Sequence, residues 1–306
     1  NAWYYYGEAL RQRGRYREAA TAYEKVRRDS KYFGRAQFVR GLSLYNLFLQ
    51  KQRRRQVDQD ARRVLAEAEK SLMWAVTEGK PRVGESWHHD AATTLCDLYL
   101  RTSKYEKVLT TIDLFTKRYP HDAKMSGALM FRRMRALAGL NRLDEAERIL
   151  DALSGQDTEP GILLRGYLTL GDALLRMSVD LEKSHRSVQA KKHRERGLAL
   201  LRKGMTYIAD DDFNVWVWVA GKFYKMRDMT SALEAATKAE KAWKPGMSKD
   251  KLWYLRLMRL TCIDTLDKWD ADAEKLLEQL EQQYPLMAKI KMKRAAYLQK
   301  YKKDYK

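Results

Sequence analysis

Residues 2–26 of the chain read AWYYYGEALRQRGRYREAATAYEKV, and this stretch decides the fold. Three of its small residues, Gly7, Gly14 and Ala19, carry the pattern. Gly7 and Ala19 predict that two helices approach each other closely, and Gly14 predicts a left-handed turn residue between them. The stretch therefore predicts a helix–turn–helix hairpin. The large residues predicted to fill the space between its helices are Trp3, Tyr6, Leu10, Tyr16 and Tyr23.

The same hairpin pattern recurs along the chain. Its matched small-residue positions are Gly7, Gly41, Cys96, Met134, Gly171 and Gly221, at separations of 34, 55, 38, 37 and 50 residues. The pattern resembles the tetratricopeptide repeat, whose unit is about 34 residues long, and the resemblance covers residues 1–285. Two units are longer than that, and we expect their extra residues at the turns near Gln50–Asp60 and Ser178–Arg194.

This resemblance implies an all-α fold. We expect a right-handed α-α superhelical solenoid of about seven helix–turn–helix repeats, followed by a C-terminal capping helix. The repeats are expected at 1–32, 33–83, 84–121, 122–160, 161–210, 211–248 and 249–285. Residues 286–306 are expected to form the basic capping helix and a tail. The apolar stripe predicted for that helix consists of Ile290, Ala295, Leu298 and Tyr301.

Composition indicates a folded, strongly basic chain. Hydrophobic residues make up 45% and charged residues 33%, which is enough apolar surface for a core. The net charge of +20, from 60 Lys and Arg against 40 Asp and Glu, predicts attraction to an acidic protein, a membrane surface or nucleic acid. No apolar run is long enough to predict a transmembrane helix. Because the chain begins inside a helical pattern, we expect a fragment whose targeting signal would lie upstream.

Three basic clusters are candidates for phosphate contacts. Their residues are Lys51, Arg53, Arg54, Arg55, Lys191, Lys192, Arg194, Lys289, Lys291, Lys293 and Arg294. The first two clusters fall in the enlarged units and the third in the terminal helix. A solvated face is the alternative interpretation of each cluster. No pair of polar residues recurs at fixed places in the repeats, which argues against a base-reading code.

The sequence predicts no catalytic residue, no metal and no cofactor, and therefore no enzyme. It lacks the motifs of phosphate-binding loops, dinucleotide-binding turns and nucleophile elbows. His88-His89-Asp90 are adjacent on a helix, where side chains point about 100° apart and do not converge on a metal. Asp210-Asp211-Asp212 is interpreted as a helix cap. Cys96 and Cys262 are predicted to be buried and unpaired.

In the family that the repeat resembles, ligands lie in a concave groove lined by the first helix of each repeat. The resemblance implies that the groove residues are Tyr4, Glu8, Arg11, Phe38, Leu42, Tyr45, Thr93, Asp97, Phe131, Arg135, Leu168 and Asp172. Such a mixed aromatic and charged groove suits an extended peptide or a partner helix, here an acidic or amphipathic one. Trp216 and Trp218 cannot face the same side of one helix, so one of them is a candidate for an exposed anchor.

The helix endings Tyr119-Pro120 and Tyr284-Pro285 resemble those of bacterial cell-envelope tetratricopeptide proteins. Those proteins scaffold pili, secretion, motility or outer-membrane assembly machines. The expected function is thus a non-enzymatic protein–protein interaction scaffold or adaptor in a larger bacterial assembly, in the periplasm or cell envelope. The alternative is a basic helical-repeat protein that binds nucleic acid.

Overall fold

The computed structural model describes residues 2–56, 58–82, 84–120, 127–155 and 158–302, with positions 289, 300 and 302 as backbone alone. Within these ranges the chain forms fifteen α-helices, one π-helical turn and no β-strand, which confirms the all-α prediction. The helices are α1 (Ala2–Gln12), α2 (Tyr16–Glu24), α3 (Phe33–Arg53), α4 (Gln59–Thr77), α5 (Trp87–Arg101), α6 (Tyr105–Arg118), α7 (Gly127–Gly139), α8 (Leu143–Ser154), α9 (Pro160–Lys183), α10 (Ser187–Met205), α11 (Phe213–Lys225), α12 (Met229–Ala242), α13 (Lys249–Leu266), α14 (Ala271–Gln283) and α15 (Ala288–Tyr297). The π-helical turn spans Leu298–Lys302.

The first fourteen helices form seven consecutive pairs, and the connection inside each pair, the hairpin turn, is of one type. Each hairpin turn holds one residue in the left-handed region: Gly14, Arg55, Ser103, Asn141, His185, Arg227 or Asp267. In the first, the Gly14 N–H donates to the Arg11 carbonyl and the Arg15 N–H to the Leu10 carbonyl, both at 3.0 Å. This is the Schellman closure of a helix end, and its recurrence confirms a helical repeat.

The two enlarged pairs differ from the prediction. Their extra residues lengthen the helices rather than the turns: α3 and α4 have 21 and 19 residues, and α9 and α10 have 24 and 19. The hairpin turns at Arg55 and His185 keep the common closure. The inserted segments are rich in Arg, Lys, Gln and Glu, which favour continued helix.

Glycines let the two helices of a pair approach closely, as predicted for Gly7. A Cβ added to Gly7 would lie 2.6 Å from Cε1 of Tyr23 on the partner helix, and one added to Gly41 would lie 2.7 Å from Cγ of Leu72. Gly221 is different, because a Cβ there would meet nothing within 4 Å. The close approach of the two helices therefore explains why glycine stands at positions 7 and 41, but it does not explain the glycine at position 221.

The chain divides into two compact units, Asn1–Ala173 and Leu174–Lys306. In the first unit consecutive helices pack on each other, and the first helices of successive pairs, α3, α5 and α7, also lie side by side. In the second unit α11, α12 and α13 pack in the same manner, and α14 packs on α13 and on α15. Each unit taken by itself thus has the neighbour-on-neighbour packing of a helical repeat.

The prediction for the aromatic residues of α1 was wrong. Trp3 and Tyr6 are 43% and 52% exposed, whereas Tyr4 is 4% exposed and stacks on Tyr32 with 4.8 Å between ring centroids. The inward stripe of α1 is Tyr4, Gly7 and Leu10, so the other aromatic positions fall on the outer faces of the helix. Trp3 instead lies under the Lys25 ammonium, 4.3 Å from the ring centroid.

The terminal helix α15 packs on α14, as expected for a cap. Ile290 and Tyr297 are buried in one cluster with Leu260, Leu276 and Leu280. Leu298 and Tyr301 are partly buried against that cluster, but Ala295, which the predicted stripe included, is exposed. The stripe therefore continues from Ile290 through Tyr297.

Several smaller predictions are confirmed. Cys96 and Cys262 are free and buried. Asp212 caps α11, where its carboxylate accepts a hydrogen bond from the Val215 N–H at 3.2 Å. Trp216 is fully buried and Trp218 is 38% exposed, so Trp218 is the exposed one of that pair. None of the described helices combines the length and the apolar character needed to cross a membrane.

Candidate functional site

The first helices of the first three pairs, α1, α3 and α5, surround one cleft of about 550 Å³ in the first unit. The structure brings together five of the predicted groove residues here: Glu8, Arg11, Phe38, Leu42 and Thr93. The cleft is also lined by residues that the sequence did not indicate: Arg35, Val39, Gly84, Glu85, Ser86, Trp87, Asp90 and Thr94.

Glu8 is held in place at one wall of the cleft by two hydrogen bonds. Arg11 Nη2 donates to its Oε2 at 2.8 Å, and the Tyr23 hydroxyl donates to its Oε1 at 2.6 Å. Partial burial pushes the pKa of Glu8 upward, but these two donors outweigh it and hold the pKa below its ordinary value. Burial, together with the Glu8 carboxylate, raises the pKa of Tyr23. Glu8 is therefore a fixed negative charge.

Glu85, another lining residue, is also held in place. Its carboxylate accepts the Arg82 N–H and Trp87 Nε1–H, both at 2.9 Å, and the backbone donor of Arg82 lowers the pKa of Glu85. The Trp87 ring is confined further, because a Cβ added to Gly34 or Gly79 would lie 3.0 or 2.6 Å from it. The indole is thus a rigid apolar group at the start of α5.

Asp97, another predicted groove residue, serves the fold. Arg132 on α7 makes a bidentate ion pair with it, at 2.9 Å from Nε to Oδ1 and 2.5 Å from Nη2 to Oδ2. The same Nε donates to the Thr93 carbonyl at 3.2 Å. Because both ends of the pair are engaged, Asp97 links α5 to α7.

Phe131, on α7, forms a second patch. Its ring is buried, and the guanidinium carbons of Arg135 and Arg165 lie 5.7 and 5.5 Å from the ring centroid, within cation–π range. Arg135 is exposed. The remaining predicted groove residues lie apart from the cleft in the described structure: Tyr4 and Tyr45 are buried, and Leu168 and Asp172 are half-buried on α9.

The first basic cluster contains both paired and free cations. Lys51 pairs with Asp60 at 2.9 Å. Arg53, Arg54 and Arg55 are exposed at the end of α3 and in the hairpin turn, and no described acidic side chain pairs with them. Within the described part of the chain, the cluster therefore presents three guanidinium groups that have no acidic partner.

The other two basic clusters are largely countered by acidic neighbours. On α10, Lys191 lies 4.0 Å from Glu195 and Arg194 lies 3.9 Å from Glu182, while Lys192 is exposed. On α15, Lys293 pairs with Asp264 at 2.5 Å and Arg294 lies 3.7 Å from Glu281, while Lys291 is exposed. The side chain of Lys289 lies outside the described residues.

His88 and the two cysteines, which could in principle do chemistry, are buried in the packing. His88 stacks on Phe115, with 5.8 Å between ring centroids, and lies 4.6 Å from the Tyr119 ring. Burial raises the pKa of the Cys96 thiol to about 12 and that of Cys262 to about 11, so both stay protonated at neutral pH. Over the described residues, no three His, Cys, Asp or Glu side chains gather as a metal site would require.

No family model matches the chain, and no curated protein sequence matches it. Among solved structures, one that matches is that of PilF from Pseudomonas aeruginosa. It is 18% identical to this chain, the match covers 84% of this chain and 97% of that one, and the TM-score is 0.39.

Proposed function

We propose that this chain is a non-enzymatic scaffold or adaptor, which holds a peptide or a helix of a partner protein in the cleft between α1, α3 and α5. The observation that carries the proposal is the convergence of Glu8, Arg11, Phe38, Leu42 and Thr93 on that one cleft. A concave surface with apolar and fixed polar groups is the usual form of a binding site.

The cleft suits a segment of amphipathic character. Phe38, Val39, Leu42 and Trp87 supply apolar contacts for one or two inserted side chains. The charged groups on its walls have both signs, with Glu8 held by its two donors and Arg35 exposed. Because Glu8 and Glu85 are already held in place, binding costs little entropy for ordering these side chains, and this favours affinity.

Site-specific photo-crosslinking in the native cell tests the cleft. A benzophenone amino acid placed at Thr94, which lines the cleft, should crosslink to a defined protein. The same probe at Lys117, an exposed residue of α6, is the control and should not trap that protein. Equal crosslinking at both positions, or none at Thr94 while the protein is folded and expressed, would remove the cleft as the binding site.

An Arg35→Glu variant sharpens the test once a partner is found. Arg35 is exposed and lines the cleft, so reversal of its charge should weaken binding of the partner without unfolding the chain. A tenfold loss corresponds to about 1.4 kcal/mol of binding free energy. Circular dichroism checks that the helices persist, and unchanged affinity would contradict the assignment.

We propose further that the partner belongs to a bacterial envelope assembly such as a pilus, secretion, motility or outer-membrane machine. The support is the pair of Tyr-Pro helix endings, where Tyr119 follows α6 and Tyr284 follows α14. Fractionation of the native cell tests this placement. Recovery of the protein with the cytosol alone would exclude it, whatever the cleft binds.

A further inference from the structure

The first three hairpin turns and the adjoining helix ends carry a cluster of arginines. The residues concerned are Arg13, Arg15, Arg53, Arg54, Arg55 and Arg101. We call the surface that they form the arginine edge. It belongs to the hairpin turns and the adjoining helix ends, and none of its six residues lines the cleft described above.

Two contacts show that successive hairpin turns are neighbours. Arg101 Nη1, at the end of α5, donates to Gln52 Oε1, near the end of α3, at 3.1 Å. Arg17 Nη2, at the start of α2, donates to Asp60 Oδ2, at the start of α4, at 2.6 Å. The hairpin turns of the first three pairs therefore lie side by side along one edge.

Most of this charge is not neutralised. Arg13, Arg53, Arg54 and Arg55 are exposed, and no described carboxylate pairs with them. Arg15 does pair with Glu18, and Arg101 donates to a neutral amide. The edge thus keeps a net positive charge after its internal pairs are formed.

Local electrostatics accounts for only some of these cations. Arg53 and Arg101 lie in the last turns of α3 and α5, where a cation complements the helix dipole. Arg15, at the N-cap position of α2, makes no side-chain capping hydrogen bond but pairs with Glu18 in the first turn. Arg13, Arg54 and Arg55 lie beyond the last residues of α1 and α3 and pair with no described carboxylate, so they remain available to a ligand.

We propose that the arginine edge binds the phosphate backbone of double-helical nucleic acid without reading its bases. Guanidinium groups bind phosphate oxygens in bidentate geometry. The amides of Gln52 and Gln56 and the hydroxyl of Ser103 lie among them, and such groups are the usual further phosphate donors. This surface is separate from the proposed protein-binding cleft and does not depend on it.

The uncharged residues of the edge favour a duplex over other polyanions. No aromatic or apolar side chain is exposed among the described residues of the first three hairpin turns, 13–15, 54–56 and 102–104. Single strands are usually bound by stacking on aromatic rings, and membrane surfaces by apolar insertion beside the cations. The phosphate backbone of a duplex can be bound by charged and polar groups alone, and these are the groups that the edge presents.

The test is fluorescence anisotropy with a labelled duplex of about 20 base pairs, measured over a range of salt concentrations. The triple variant Arg53→Gln, Arg54→Gln, Arg55→Gln removes three exposed cations that pair with no described carboxylate. The matched control Lys31→Gln, Lys80→Gln, Lys117→Gln removes three exposed cations from the connections between pairs and from the end of α6. We expect at least a tenfold loss of affinity in the first and less than a twofold loss in the second.

The salt dependence gives a second readout. Removal of three phosphate contacts should reduce the slope of log K against log salt by about 2–3. Equal losses in the two variants would show a general charge effect and would overturn the proposal. So would tighter binding to phosphatidylserine vesicles or to polyglutamate than to the duplex at equal ionic strength, since the edge would then be a membrane or acidic-protein surface.

Discussion

At the scale of single residues, Gly41 and Gly221 hold matched places in the repeat but differ in what surrounds them. A Cβ at Gly41 would lie 2.7 Å from Leu72 Cγ and 3.1 Å from its backbone nitrogen, so α3 and α4 would have to separate. We expect Gly41→Ala to lower the free energy of unfolding by about 1–3 kcal/mol. Gly221→Ala has open space and should be neutral or raise it by up to about 1 kcal/mol. Urea denaturation measures both, and equal effects would contradict this explanation.

Glu8 makes stability depend on pH. Its pKa in the folded chain lies below the ordinary value of 4.5, because the donors Arg11 and Tyr23 outweigh partial burial. A carboxylate with a lowered pKa contributes stability above its ordinary pKa and loses it as pH falls through the folded value. At neutral pH the free energy of unfolding of the wild type should exceed that of Glu8→Gln by about 1 kcal/mol. This difference should vanish in acid, below the pKa of Glu8 in the folded chain. A constant difference across that range would exclude the ionised form as the cause.

At the scale of elements, the hairpin turns offer a paired test of backbone strain. Ser103 has φ of 56° and Gly14 has φ of 72° in equivalent positions. Only glycine adopts this region without cost, so Ser103→Gly should stabilise the protein by about 0.5 kcal/mol and Gly14→Ser should destabilise it by about 1 kcal/mol. Thermal denaturation of both variants checks the signs. Changes in the same direction would mean that side-chain contacts, rather than φ, decide these turns.

Sequence patterns predicted the helix pairs well because each hairpin is a local structure. The exception is α13, because the sequence of residues 249–266 shows little of the repeat pattern. Its buried residues include Leu252, Met258, Leu260 and Ile263, which lie on more than one face because α11, α12 and α14 all contact it. A helix buried on several sides has no single apolar stripe to recognise.

The cleft was predictable only in part, for a similar reason. Arg35 stands three residues before Phe38, and Val39 stands three residues before Leu42, so helical spacing from the predicted residues could have identified both. Glu85 comes from the connection after α4, and Trp87 is the first residue of α5. Their positions relative to the other lining residues depend on tertiary contacts, such as the packing of the Trp87 ring against Gly34 of α3, and not on a local pattern.

At the scale of the whole molecule, the net charge of +20 implies self-repulsion in the folded state. Exposed ion pairs contribute little stability, so little is lost when salt screens them. The screening of the net repulsion should therefore decide how stability responds to salt. Raising sodium chloride from about 0.01 M to about 0.1 M shortens the Debye length from about 30 Å to about 10 Å, and we expect the Tm to rise by several degrees. Sucrose at matched osmolality is the control, and a fall in Tm with salt would show that attractive pairs prevail.

The seven hairpin turns of one type also bear on how the chain reaches its fold. Each closure joins residues only five positions apart, such as Arg15 to Leu10 and Asp228 to Phe223. Contacts of such short sequence separation need almost no loop closure, so ordering can begin at any hairpin and spread to its neighbours. Under a pulling force the same locality would release the chain hairpin by hairpin, and the two long pairs would be the largest single steps.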